Sequence, residues 1–238
     1  KTMENFLVHP QGAATRRVGT QFIEEVKDSS KKTRLIPFEF STTQTYILEF
    51  GDQYMRVYKD KGQVLSGGSA FEISTPYLEA ELFDIKFAQS ADVLYLCHPN
   101  HDVRKLSRTG HTSWTLATVS FSGSPSLPIS GSDNRPSCVS FFEQRLVFAN
   151  TNNNPQTLWF SKSGDYENFT TGTNADDAMI YTIASNQVNA IQYLKAVRTL
   201  IVGTSGGEFT VSADGTDASI TPTNVTIKRQ SSFGSAGV

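Results

Sequence analysis

The sequence predicts an all-β protein, a β-propeller with at least four blade-like units of four antiparallel strands, in an incomplete or five-bladed ring. Three observations predict it. Short runs rich in β-branched and aromatic residues alternate with clusters of Gly, Asn, Asp and Ser. These runs recur with a period close to 50 residues, and polar turns containing glycine recur with the same period. Because one small antiparallel sheet cannot bury both of its faces, repeated sheets are expected to pack around an axis.

Composition narrows the function classes. The 238 residues carry a formal net charge of −2, so the chain is not built to neutralise many phosphates. No apolar run approaches the roughly 20 residues of a membrane-spanning helix, and we predict no membrane insertion. The chain begins at Lys1 and ends at Val238 without an obvious stop, which leads us to expect a fragment or a processed product.

We divide the chain into N-terminal strands (1–31), two blades (32–121), a linker (122–136) and two further blades (137–238). The N-terminal part is predicted to contain two strands, ENFLVHP (4–10) and TQFIEEV (20–26), joined by a loop with Gly and Arg. These strands would close the ring or belong to a fifth blade. The linker is rich in Ser, Gly and Pro, which is typical of a connection between blades.

Each unit begins with three strand-like runs. In units one and two they are LIPFEF (35–40), TYILEF (45–50), QYMRVY (53–58), DIKFAQ (84–89), VLYLCHP (93–99) and DVRKLS (102–107). In units three and four they are SCVSFF (137–142), RLVFAN (145–150), TLWFSK (157–162), NAIQYL (189–194), TLIVGT (199–204) and GEFTVS (207–212), with TNVTIKRQ (223–230) as a final strand. Between units one and two, PYLEAELFDIKFA (76–88) predicts at most a single helical turn.

Turns that follow the third strand of each unit supply the second landmark. Their glycines are separated by 48, 54 and 51 residues, which agrees with the spacing of the strands. Two of them, Ser107–Trp114 and Ser161–Phe169, resemble degenerate Asp-box turns, in which a trailing aromatic side chain tucks under the turn. The predicted structural turn residues are Gly62, Gly110, Trp114, Gly164, Phe169 and Gly215.

Cys97 and Cys138 both lie inside apolar strand-like runs. Free thiols in such runs behave as small core hydrophobes, so we expect reduced, buried cysteines, with a single disulfide as the alternative.

The segment His98-Pro-Asn-His101-Asp102 is the one cluster with metal-ligand residue types. Pro99 and Asn100 favour a turn, and no third His or Cys lies nearby apart from Cys97, which has apolar neighbours. A solvated loop without a metal ion is therefore predicted.

Catalytic motifs are missing. Neither a nucleophile elbow, nor a phosphate-binding loop, nor a metalloprotease motif occurs. A propeller glycosidase would need paired carboxylates, for which Asp52, Glu143, Asp165 and Glu208 are the candidates. Basic residues cluster weakly and are interpreted as charged turn residues rather than phosphate contacts. These are Arg16-Arg17, Lys27 with Lys31-Lys32 and Arg34, and Arg104-Lys105 with Arg108.

Six strings spread over nearly the whole chain occur in an order typical of one known family. They are MENFLVHPQGAATRRVGTQFI (3–23), RLIPFEFSTTQTYILEFGDQYMRVYKD (34–60), FAQSADVLYLCHPNHDVRKLSR (87–108), SFFEQRLVFA (140–149), WFSKSGDYENF (159–169) and IVGTSGGEF (201–209). Through them the chain resembles the tail tubular protein B, or nozzle, family of short-tailed bacteriophages and related prophages.

The resemblance implies a structural virion protein of the tail, without enzymatic activity or cofactor. Its members form a ring of identical copies, commonly six, below the portal and adaptor, and the ring continues the channel through which the genome leaves. The expected partners are therefore other copies, the portal, the adaptor and other tail proteins, with transient non-specific contact to DNA. Assembly would take place in the host cytoplasm. Family members often carry an inserted domain near the position of residues 120–137 and continue beyond QSSFGSAGV (230–238).

Two other functions stay open from the residues alone. The Asp-box-like turns recur in sialidase-like propellers, so a carbohydrate-binding or glycosidase-type propeller is the alternative. A generic protein-interaction propeller is a third reading. A central pocket with convergent acids and arginines would favour the carbohydrate-active alternative.

Overall fold

A computed structural model describes residues 4–41, 44–123, 131, 133–184, 188–215 and 218–237. In this part of the chain nearly all regular structure is β, with one short 3-10 helix. The predicted all-β class is therefore confirmed. Most of the predicted linker (122–136) lies outside the described residues.

The N-terminal strands differ from the prediction. Strand β1 (Phe6–Val8) pairs with β2 (Ala14–Arg16), and within the described residues this hairpin pairs with no other strand. The predicted strand at 20–26 is wrong, since those residues form no strand. The partner of β1 comes from the predicted loop instead, because Gly12, with a φ of 87°, allows a local turn that closes the hairpin.

The first unit is a sheet, hereafter sheet 1, that has β3 (Arg34–Glu39), β4 (Thr45–Gly51) and β5 (Tyr54–Lys59) as its main strands. Two short strands, β6 (Gly62–Gln63) and β9 (Glu72–Ser74), both pair with β5. Between them a small hairpin is formed by β7 and β8. These two strands are Leu65–Ser66 and Ser69–Ala70.

The second unit follows the 3-10 helix, which spans Glu79–Asp84. Its six residues make about two 3-10 turns, so it is longer than the single turn predicted there. Sheet 2 has four consecutive antiparallel strands. They are β10 (Lys86–Ser90), β11 (Val93–His98), β12 (His101–Gly110) and β13 (Ser113–Thr118).

The third and fourth units repeat this order, and each strand pairs with the next along the chain. Sheet 3 contains β14 (Cys138–Phe142), β15 (Arg145–Ala149), β16 (Thr157–Phe160) and β17 (Met179–Thr182). Sheet 4 contains β18 (Ile191–Ala196), β19 (Leu200–Thr204), β20 (Gly207–Ser212) and β21 (Thr226–Ser231). The strand-like runs of the four repeats thus coincide with observed strands.

Apolar cores lie between consecutive sheets. Successive side chains of a strand point to opposite faces, so alternate residues of one strand pack in two different cores. In β11, Leu94 and Leu96 pack against sheet 1, whereas Tyr95 and Cys97 pack against sheet 3. A third core joins sheets 3 and 4. This stacking explains why the central strands read as continuous apolar runs rather than as alternating ones.

The first strands of the units lie side by side. One cleft, of about 200 Å³, lies between them. It is lined by residues near the starts of β3, β10 and β14 and by Tyr193 and Leu194 of β18. Residues at the ends of β10, β14 and β18 line another. The first strands therefore run in the same direction around a common axis, which is the arrangement of propeller blades.

Candidate functional site

The four predicted turn glycines take two different conformations. Gly164 and Gly215 adopt positive φ values of 74° and 109°, which glycine accommodates without strain. Gly62 and Gly110 do not adopt positive φ. In the turn before Gly62 the left-handed positions are occupied by Asp60 and Lys61, with φ values of 52° and 64°. Gly110 ends β12 and pairs with Ser113 of β13 beside a bulge.

Trp114 and Phe169 are both buried. The Trp114 ring meets Phe38 of sheet 1 at a centroid distance of 4.9 Å, and its indole N–H donates to the His111 carbonyl at 3.0 Å. Phe169 lies 5.7 Å from Phe148 in the core between sheets 2 and 3. Each trailing aromatic side chain therefore anchors its turn to a core between two blades.

Arg145 has a role that sequence reasoning missed. This residue opens β15 and is buried, at 2% exposure. Its guanidinium donates to the carbonyls of Ser161, Ala175 and Asp177 at 2.8, 2.6 and 2.7 Å. It thereby holds the long loop between β16 and β17. The available signal was a charged residue at the start of an apolar strand, in the string RLVFA.

The two predicted histidines come together with a carboxylate that is distant in sequence. His98 ends β11 and His101 begins β12, so the tight β11–β12 turn brings their rings to a centroid distance of 5.1 Å. Glu81, from the 3-10 helix, accepts a hydrogen bond from His101 Nε2 at 2.8 Å. One ligand atom from each of the three residues lies within 4.8 Å of the others. The sequence argument considered only a third His or Cys near the two histidines, and the structure adds the carboxylate of Glu81.

The electrostatics of this cluster follow from burial and hydrogen bonding. Burial lowers the pKa of His98, because desolvation disfavours the imidazolium. The pKa of Glu81 falls to about 2: partial burial opposes this shift, but hydrogen bonds from the Leu78 N–H, His101 and Asn100 outweigh it. At neutral pH the structure therefore favours an ionised Glu81 and a neutral His98. Asp102, the last residue of the motif, turns away to pair with Arg135 at 2.9 Å.

The four candidate acids lie at two opposite ends of the sheets. Glu143 and Asp165 lie in the β14–β15 turn and the loop after β16, which are at one end of sheet 3. Asp52 lies in the β4–β5 turn of sheet 1, and Glu208 near the β19–β20 turn of sheet 4, which are at the opposite end. Glu143, Asp52 and Glu208 each accept a hydrogen bond from a residue that is distant in the sequence. The donors are the Ile220 N–H, the Glu79 N–H and the Ser231 hydroxyl.

Most of the predicted basic clusters have acidic or carbonyl partners. Lys31 pairs with Asp52, and Lys105 pairs with Glu167. Other pairs are Lys27 with Glu72 at 2.5 Å, Arg108 with Asp92 at 2.8 Å, and Arg34 with the Ile85 carbonyl at 2.7 Å. These contacts reduce the charge available for phosphate binding.

Both cysteines are buried and free, as the preferred interpretation expected. Burial raises the pKa of Cys97 well above its usual value and that of Cys138 to about 11. Such thiols are poor nucleophiles at neutral pH, because only the thiolate reacts.

An apolar surface is left exposed at the N-terminal side of the structure. In the N-terminal arm (4–22), five large hydrophobic side chains are exposed. They are Phe6, Leu7, Val8, Val18 and Phe22. The arm leads into the outer face of sheet 1, where Leu35 is 63% and Ile47 41% exposed. A groove of about 600 Å³ runs over this face, lined also by Ile23, Val26 and Tyr58.

Glu49 lies in the wall of this groove and is 1% exposed. It accepts hydrogen bonds from the hydroxyls of Tyr54 and Tyr58 at 2.6 and 2.5 Å. The groove therefore combines apolar side chains with one buried, hydrogen-bonded carboxylate, and Glu24, Lys59, Asp60 and Lys61 also line it.

Among the described residues, no helix has the length and apolar character needed to cross a membrane. Comparison with protein-family models gives no match to this chain, and comparison with curated proteins gives none either.

Proposed function

We propose that this chain is a structural protein of a short-tailed phage tail, a part of the nozzle that continues the DNA channel below the portal. The proposal joins the resemblance of the sequence to one structural observation. That observation is the exposed apolar surface of the N-terminal arm and of the outer face of sheet 1. A subunit of a ring buries such surface against its neighbours.

Sheet 4, the last of the four sheets, supports a neighbouring copy as the partner of this surface. The free face of sheet 4 carries polar side chains, and Lys195, Lys228 and Gln230 are exposed there. This polar face of sheet 4 is not suited to pack against the apolar face of sheet 1, where Leu35 and Ile47 are exposed. We therefore assign the apolar face to contact between copies rather than to contact between the two end sheets of one copy.

The size of the clefts between the first strands of the units indicates where DNA would pass. The two clefts between the first strands have volumes of about 200 and 420 Å³, which correspond to roughly 7 and 14 water molecules at about 30 Å³ each, far less than a nucleic acid needs. In this proposal the DNA channel therefore lies between copies and not along the axis of one propeller. A net charge of −2 suits a conduit, because a strongly basic wall would retain the phosphates.

Light scattering and negative-stain imaging test the proposal. The chain is measured alone and with a portal–adaptor complex of a short-tailed phage. We expect rings with an open axial hole, and we expect Ile47→Asp to shift the mass towards the monomer. Val197→Asp is the matched control, because Val197 is an exposed apolar residue in the β18–β19 turn, away from sheet 1.

A monomer that does not bind the portal–adaptor complex would contradict the proposal. Equal masses of the Ile47→Asp and Val197→Asp variants would contradict it as well. A monomer that binds or cleaves a glycan would support the carbohydrate-active alternative instead.

A further inference from the structure

We propose that Glu81, His98 and His101 form a binding site for one divalent transition-metal ion of the zinc type. The ion would join the 3-10 helix to the β11–β12 turn. This inference is independent of the proposed tail function, because it depends only on the cluster itself.

The donor set is the first argument. Two imidazoles and one carboxylate are a recurrent ligand set for zinc, and a fourth position is left for water. A tetrahedral ion with ligands at about 2.1 Å holds them about 3.4 Å apart. In the cluster, His101 Nε2 and Glu81 Oε2 are 2.8 Å apart and all three ligand atoms lie within 4.8 Å. Small side-chain rotations are therefore enough to surround an ion.

His98 is the second and independent argument. Its side chain is 1% exposed, and its Nε2 atom is buried without a hydrogen-bond partner. Its other ring nitrogen, Nδ1, accepts the Asn100 N–H at 3.0 Å. A buried polar atom without a partner is costly and rare in folded proteins, and it points to a missing group. A metal ion would supply that partner once the ring proton has moved from Nε2 to Nδ1.

Binding through Nε2 has a defined proton balance. The neutral ring carries its proton on Nε2 while Nδ1 accepts the Asn100 N–H. Coordination moves this proton to Nδ1, so the Asn100 N–H must turn away. At His101 the proton on Nε2 likewise moves to Nδ1, and the ion replaces the hydrogen bond to Glu81. The hydrogen bonds given up are weak compared with bonds from a metal ion to three ligands.

The surroundings suit an ion that enters from solvent. The side chains of His101 and Glu81 are 21% and 16% exposed, whereas His98 lies beneath them. The buried Tyr77 ring walls the site, at centroid distances of 5.1 Å from His101 and 6.1 Å from His98. An aromatic wall of this kind limits the access of water to one side of the site.

Calorimetric titration of the chelator-treated chain with Zn²⁺ tests the proposal. We expect one ion per chain, an affinity at least tenfold weaker in His101→Gln and in Glu81→Gln, and a higher melting temperature of the wild type with Zn²⁺. His9→Gln is the matched control, because His9 is exposed in the N-terminal arm, and we expect its affinity to stay within twofold of wild type.

Three results would overturn the site: no stoichiometric binding, unchanged affinity in both ligand variants, or an equal loss in His9→Gln. If the ligand variants do not fold, NMR of the wild-type histidine rings decides. Zinc-induced shifts at His98 and His101 support the site, and shifts confined to His9 and His111 refute it.

Discussion

Replacing Arg145 by Met removes the donor group that holds the loop between β16 and β17. Methionine keeps much of the length and apolar volume of arginine, so the perturbation is chiefly the loss of hydrogen bonds. The three short bonds run to the carbonyls of Ser161, Ala175 and Asp177. Ser161 is buried and Asp177 partly buried, whereas Ala175 is exposed.

The magnitude follows from those environments. A buried carbonyl without a donor costs about 1–3 kcal/mol, so Ser161 and Asp177 together cost about 2–6 kcal/mol. Water can replace the donor at Ala175, and the variant avoids the cost of burying a charge. We therefore expect the free energy of unfolding to fall by about 3 kcal/mol. For a chain of this length the melting temperature would drop by about 6–12 °C.

Urea denaturation measures the free energy, and hydrogen exchange of residues 161–178 locates the effect. Arg198→Met is the matched control, because Arg198 is exposed in the β18–β19 turn. Arg145→Lys should recover part of the loss, since one ammonium cannot reach all of the carbonyls. A loss below about 1 kcal/mol relative to the control, or unchanged exchange in the loop, would refute the reasoning.

Three further predictions concern a pair of turn glycines, Phe169 and Tyr58. Gly164→Ala should lower the free energy of unfolding by about 1–2 kcal/mol, because φ is 74° and no atom lies within 4 Å of an added Cβ, so the effect is conformational. Gly110→Ala should stay within about 0.5 kcal/mol of wild type in the same urea assay, and equal losses in both would contradict the turn analysis. Phe169→Ala should cost about 3–5 kcal/mol by calorimetry, because it empties a buried site between two sheets, and a loss below about 1 kcal/mol would contradict that placement. Burial and the hydrogen bond to Glu49 raise the pKa of Tyr58 from 10.0 to about 12, so its contribution to stability is full below pH 10 and is lost as pH rises through 12. Between pH 9 and 12 the free energy of unfolding should therefore fall less steeply with pH in Tyr58→Phe than in wild type. The same slope in both proteins would contradict the raised pKa of Tyr58.

Much of the fold could be predicted because strand formation leaves a local signal. Alternating or continuous apolar runs bounded by turn residues marked the main strands of all four units, and their common period indicated repeated sheets. The failure at residues 20–26 has a physical cause. TQFIEEV has a strand-like pattern, but a strand also needs a partner, and Gly12 let β1 pair with nearer residues instead.

Only part of the cluster of Glu81, His98 and His101 could be predicted from the sequence. His98 and His101 were found because a short turn separates them, whereas Glu81 precedes them by 17 and 20 residues on a different element. Arg145 was missed for the same reason, since its partners are carbonyls of a distant loop, and carbonyls carry no sequence signal.

The sequence alone determined the all-β class, the four units and the positions of the first three strands of each unit, because side-chain alternation and turn chemistry act between near neighbours. Only the tertiary structure decided which faces pack together, which apolar face stays exposed on sheet 1, and which carboxylate meets the two histidines. Those outcomes depend on contacts between segments far apart in the chain, and no local pattern specifies them.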